Sequence, residues 1–151
     1  MSKSGHSVSR IDQAAAGIAF RILGDHVNQD LRTRMRQLPL RLRGSGLAST
    51  YSFILSKADP RGDSLAQAYH RLAAKVAEHV AERHLLSGTS RKMTPNEFLR
   101  ALSKANVHDY ARVTIEVEIL SVWLSRLAEA LHEEGKQSGS ADERGEHGGE
   151  S

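Results

Sequence analysis

The 151-residue chain has no cysteine, which excludes a disulfide framework, a thiol redox centre and any cysteine-ligated zinc site. It has three prolines, and each falls where a helical pattern breaks or begins. Aromatic residues total seven; most lie on apolar stripes, which leaves no base-stacking platform of the RRM or OB type. There is no run of about 18 apolar residues for a membrane span, and the opening "MSKSGHSVSRIDQAAAGIAF" has no continuous apolar core of a signal peptide. A soluble cytoplasmic protein with no membrane partner is therefore expected. The most local absence is of charge: residues 31–58 contain no Asp or Glu.

That window holds Arg32, Arg34, Arg36, Arg41, Arg43 and Lys57, and it belongs to a wider asymmetry. Residues 1–104 carry 17 Lys and Arg against 8 Asp and Glu, a net +9. Residues 105–134 carry 2 against 6 and residues 135–151 carry 2 against 4, net −4 and −2. A basic body of this kind concentrates polyanions, so nucleic acid is the first partner to weigh against a plain solvated basic face.

The apolar spacing is helical almost throughout. Ile11, Ala15, Ile18 and Ile22 share one face of a long amphipathic helix from about Ser9, its expected N-cap, to Gln37. Pro39 is expected to end it or to start a new turn. "LASTYSFILSKA" reads as a short helix stopped at Asp59-Pro60. Ser64 with Gln67 forms a capping-box pattern for a helix with Leu65, Tyr69, Leu72, Val76 and Val80 on its stripe, closed by Gly88. Thr94, Pro95 and Glu97 supply N-cap, N1 and N3 of the next. In the final stretch "TIEVEIL" alternates like a strand, but Tyr110, Val113, Val117, Leu120, Leu124, Leu127 and Leu131 repeat at 3 and 4, a helical stripe running to about Glu134. Residues 1–134 are thus predicted as one all-α, compact single-domain bundle of five or six helices, and the Gly/Ser-rich, acidic residues 135–151 as a disordered tail.

Motifs for catalysis are thin. Glu129 and His132 have the Glu-x-x-His spacing of carboxylate-bridged metal bundles, but no second copy occurs. Glu78, His79 and Glu82 can share a helix face amid the mixed charges of a solvated surface. "GSG" at 44–46 lacks the Lys-Ser/Thr of a phosphate loop, and no serine sits in a Gly-x-Ser-x-Gly elbow. A non-enzyme without cofactor or metal is the expectation. Arginines without exposed aromatics suit phosphate contact, which positions a nucleic acid but does not read its bases.

Two segments carry a family pattern. "QLPLRLRGSGLASTYSFILSK", residues 37–57, resembles the Leu-Pro, Arg, Gly-Leu and terminal Lys positions of the small α-helical subunit of Cmr-type, type III-B, CRISPR effector complexes. "YARVTIEVEILSVWLSRLAEAL", residues 110–131, resembles that family's closing helix, joining the single Trp to a fixed train of small and charged residues. The resemblance implies a non-catalytic subunit in antiviral defence. Its copies stack beside other Cmr-type subunits as a minor filament lining the channel that holds guide RNA and target RNA, while cleavage belongs to other subunits.

Joined to the basic window, the resemblance makes Arg36, Arg41, Arg43 and Lys57, with Arg32 and Arg34 beside them, the candidates for sequence-independent phosphate contact. A first alternative is an interaction module whose basic face docks the acidic closing helix of another copy and touches no RNA. A second is a metal enzyme built on Glu129 and His132; a base-reading DNA regulator lacks a helix-turn-helix pair. The alternation in "LPLRLRGSG" alone would read as a strand, but Pro39 at its start, Gly44 and Gly46 at its end and the helices on either side favour a short helical turn. On a helix Arg43 lines up with Arg36, seven residues back, only if the axis continues through Pro39.

Overall fold

A computed structural model describes the backbone of residues 2–147 and the side chains of residues 10–132. Six helices follow one another: α1 (Ser2–Leu23), α2 (Gln29–Ser45), α3 (Leu47–Lys57), α4 (Ser64–Glu82), α5 (Pro95–Lys104) and α6 (Val107–His147). The all-α class and the helix number agree with the sequence pattern, and there is no strand among the described residues.

The boundaries differ from expectation in instructive places. The long first helix is two. Gly24, at φ 70°, closes α1 by donating its N–H to the Phe20 carbonyl, and Asn28 caps α2 by accepting from the Leu31 N–H at 2.9 Å. The apolar spacing runs on through this break, which hid it. α1 also starts at Ser2, so Ser9 lies within the helix and does not cap it.

Pro39 neither ends nor starts a helix; it sits inside α2. The ring removes one hydrogen bond and crowds the carbonyl four residues back. Against that, Leu31, Met35, Leu38 and Leu42 are all buried on one face, which holds the helix on the core. The axis therefore does continue through Pro39. The chain turns at Gly46, φ 83°, whose N–H donates to Leu42 and whose carbonyl accepts from Thr50 at the start of α3.

At α4 the cap is Asp63, not Ser64: its carboxylate accepts from the Ala66 N–H, and the Gln67 side chain donates to the Gly62 carbonyl. α4 stops at Glu82 and His84 takes φ 51°, so Gly88 lies in the loop beyond and does not close the helix. Thr94 and Pro95 start α5 as expected, Thr94 Oγ1 accepting from the Glu97 N–H at 3.2 Å. The α6 backbone runs helical to His147; of the disordered tail expected at 135–151, residues 148–151 and all the side chains lie outside the described residues.

α6 is the spine. It packs mainly on α1 and α2, while α3 packs on α4 and α5. Val113, Leu120, Leu124 and Ala128 are buried, flanked by partly buried Tyr110, Val117, Leu127 and Leu131, so the 3-4 stripe faces the core. Side-chain hydrogen bonds pin the helices. The Tyr110 hydroxyl accepts from the Ala48 N–H, one of the orphan donors at the α3 N-terminus. Buried Tyr51 donates to the Ala73 carbonyl at 2.7 Å, Arg71 donates to Ile22 at the end of α1, and Trp123 donates to Asp12 at 2.7 Å. No helix among the described residues is long and apolar enough to cross a membrane.

Candidate nucleic-acid interface

Because α2 is continuous through Pro39, its five arginines can be placed by register. Residues seven apart nearly superpose, and residues two apart lie about 160° from each other around the axis. Arg36 and Arg43 therefore form one row, with Arg32 a turn before Arg36. Arg34 and Arg41 form a second row on the other side. The acid-free window is two faces.

The first row meets α6. Arg32 donates from Nε and Nη2 to the two carboxylate oxygens of Glu129, and Arg36 Nη2 adds a third bond at 2.9 Å. This two-pronged geometry is the strongest form of Arg–carboxylate contact. Hydrogen bonds from Arg32 and Arg36 draw the Glu129 carboxyl down to about 2. The Arg32 side chain is only 23% exposed, whereas that of Arg36 is 60% exposed and presents donors outward. Arg43, exposed at the end of the row, borders a groove between Pro39 and the Ile115–Val122 stretch of α6 that also contains Glu118.

The second row meets α3 and α4, and neither of its arginines is in an ion pair among the described residues. The Arg41 guanidinium carbon lies 3.8 Å from the centroid of the Phe53 ring, and Lys57 Nζ lies 5.8 Å from the same centroid. Tyr69 of α4 packs edge-on against Phe53 at 6.1 Å. Burial pushes the Tyr69 phenol up, partly offset by the charges of Arg34 and Arg41. Arg34 and Lys57 are exposed and Arg41 is half-buried. Among the described residues none of the three is in an ion pair.

The other sequence candidates are engaged elsewhere. Glu129 holds the two arginines, and His132 Nδ1 donates to the Val27 carbonyl at 3.0 Å. Among the described residues no three His, Asp or Glu side chains converge as metal ligands. His79 turns from Glu78 and Glu82 to Glu116, buried on α6, at 3.2 Å, and Arg83 Nε reaches the same carboxylate oxygen at 2.8 Å. Burial alone would raise the Glu116 carboxyl, but the His79 hydrogen bond and the Arg83 charge bring it below its ordinary value.

Two residues of the basic face escaped the sequence reading. Tyr69 lies on an apolar stripe and Phe53 inside the short helix "LASTYSFILSKA", although Lys57 lies one turn after Phe53, the spacing at which a cation meets a ring.

The family described as CRISPR-associated protein (Cas_Cmr5) matches residues 8–131 of this chain. A solved structure, described as an X-ray crystal structure of a CRISPR-associated Cmr5 family protein from Thermus thermophilus, is similar at TM-score 0.55 and 23% identity. It covers 81% of this chain and 97% of its own. At that identity the likeness is one of fold. No curated protein matches the chain.

Proposed function

The chain belongs to the Cas_Cmr5 family of CRISPR-associated proteins, and from that premise we propose a non-catalytic small subunit of a type III-B ribonucleoprotein effector acting in antiviral defence in the cytoplasm. As a Cmr-type subunit it works in a complex with other subunits. In our reading it lies along the channel that holds guide and target RNA and contributes phosphate contacts without reading sequence.

One observation carries the RNA role: Arg34, Arg41 and Lys57 gather where α2, α3 and α4 meet, with no carboxylate paired to any of them among the described residues. Arg43 extends the basic surface toward α6. Arg32 and Arg36 serve to brace α2 on Glu129. Unpaired guanidinium and ammonium groups take phosphate oxygens by charge-assisted bonds and release condensed counterions.

The other side of α2 favours a protein neighbour. Leu40 is 68% and Ile115 57% exposed, near the groove that Pro39 forms with α6. Exposed apolar side chains of this kind suit contact with adjacent subunits or copies.

The test uses the complex assembled with its other Cmr-type subunits. Replacing Arg34, Arg41, Arg43 and Lys57 together by Ala is expected to weaken RNA binding and to make the slope of log affinity against log salt shallower by about 3. An unchanged affinity and slope would sink the RNA role and leave the scaffold role.

A further inference from the structure

Arg41 and Lys57 share one aromatic ring. Their charged groups lie 3.8 Å and 5.8 Å from the Phe53 centroid, and Arg34 stands seven residues before Arg41 on the same side of α2. Like charges so placed repel, and the ring's negative face offsets only part of that. A fold held by its core gains nothing from three cations that form no ion pair among the described residues, whereas a phosphate-bearing ligand gains from them.

Arg41 offers more than charge. Its guanidinium is planar, covers Phe53 on one side, and makes no hydrogen bond or ion pair among the described residues. Phe53 is itself braced from α4 by Tyr69, the two rings at 90°, so the floor under Arg41 is fixed. Guanidinium planes are among the surfaces on which unstacked bases lie in RNA recognition.

We propose that Arg41, laid on Phe53, is a stacking plate for one unpaired nucleobase of an RNA strand, with Arg34 and Lys57 taking adjoining phosphates. This rests on the RNA-contact reading above and narrows it. Phosphate contact treats paired and unpaired strands alike, whereas the plate serves only a base whose face is free of its helical neighbour.

The experiment uses the full chain at low salt with three probes: a single-stranded RNA, the same strand carrying abasic positions, and its duplex. The wild-type chain is expected to bind the single strand more tightly than the abasic one. Arg41→Lys keeps the charge and removes the plane. It should weaken single-strand binding by about tenfold, several times more than it weakens duplex or abasic binding, with the salt slope unchanged. Phe53→Leu, checked for retained helical circular dichroism, should give the same pattern with a smaller loss. Single-strand affinity unchanged in Arg41→Lys would overturn the plate while leaving the phosphate contacts standing. Failure of the wild-type chain to bind any of the three probes would overturn the plate as a site of this chain, whereas the RNA reading falls only with unchanged affinity and slope in the assembled complex. A free mononucleotide competing as well as the strand would overturn the strand as the ligand.

Discussion

The two sides of α2 carry the same residue type to opposite ends. On one side Arg32 and Arg36 close on Glu129 and tie α2 to the spine helix α6. On the other, Arg41 lies over Phe53 with Lys57 near the same ring and Arg34 seven residues before it, and none of the three is in an ion pair among the described residues. Two residues of register decide which arginine is structural and which is available. Net charge cannot make that distinction, because charge compensation is local and depends on which helix lies opposite.

The largest expected effect separates the two rows directly. Arg32→Ala with Arg36→Ala should lower the thermal midpoint by several degrees and leave the salt slope of RNA binding nearly unchanged. Arg34→Ala with Arg41→Ala and Lys57→Ala should leave the midpoint nearly unchanged and make the slope shallower by about 2. Thermal melts and salt titrations on the same preparations check both. Equal effects of the two sets on either measurement would break the division into bracing and binding rows.

A smaller effect sharpens the bracing side alone. Glu129 in the folded chain is held down to about 2 by Arg32 and Arg36. The unfolded chain therefore takes up the proton first as pH falls. The stabilisation from this contact is complete above the ordinary carboxylate range and is lost as pH drops through that range toward about 2. Glu129→Gln should melt a few degrees below wild type at neutral pH, and the two proteins should converge in strong acid. Asp109 and Glu116 are also held below their ordinary values, but they are common to both proteins and cancel in the difference. A gap that stays constant from neutral to strongly acid pH would show that the contact does not act through charge.

Much of the fold was legible because helical stripes are written at 3 and 4, and α6 kept its stripe even where "TIEVEIL" imitated a strand. What stayed hidden were features that periodicity does not encode. The break between α1 and α2 rests on Gly24 and Asn28, while the apolar spacing continues across it. The persistence of α2 through Pro39 depends on burial of Leu38 and Leu42, a tertiary effect that overrides local preference. At the basic face the six cations were visible, but their partners were not. Glu129 is 97 residues from Arg32 in the chain, and only the docking of α6 on α2 brings them together. The family pattern in residues 37–57 and 110–131 covered those same two elements, which is why it identified the family without sorting its arginines.

Arg43 stands between the bracing and the binding row. By register it belongs with Arg36 on the α6 side, yet it is in no ion pair among the described residues. Glu118 borders the same groove without closing on it, and the rest of the wall is formed by Pro39, Ile115, Ile119, Ser121 and Val122. Since an exposed, unpaired arginine stabilises the fold little, Arg43→Ala should leave the folding stability within about 0.5 kcal/mol of wild type. Its effect on the salt slope is the finer measure. A loss of about 0.7 to 0.9 assigns Arg43 to the phosphate contacts and shows that they extend around the end of α2. No loss, together with weaker association of the complex subunits, assigns it to the protein-facing side with Leu40 and Ile115. The side on which Arg43 acts therefore marks where the RNA-facing surface of α2 ends.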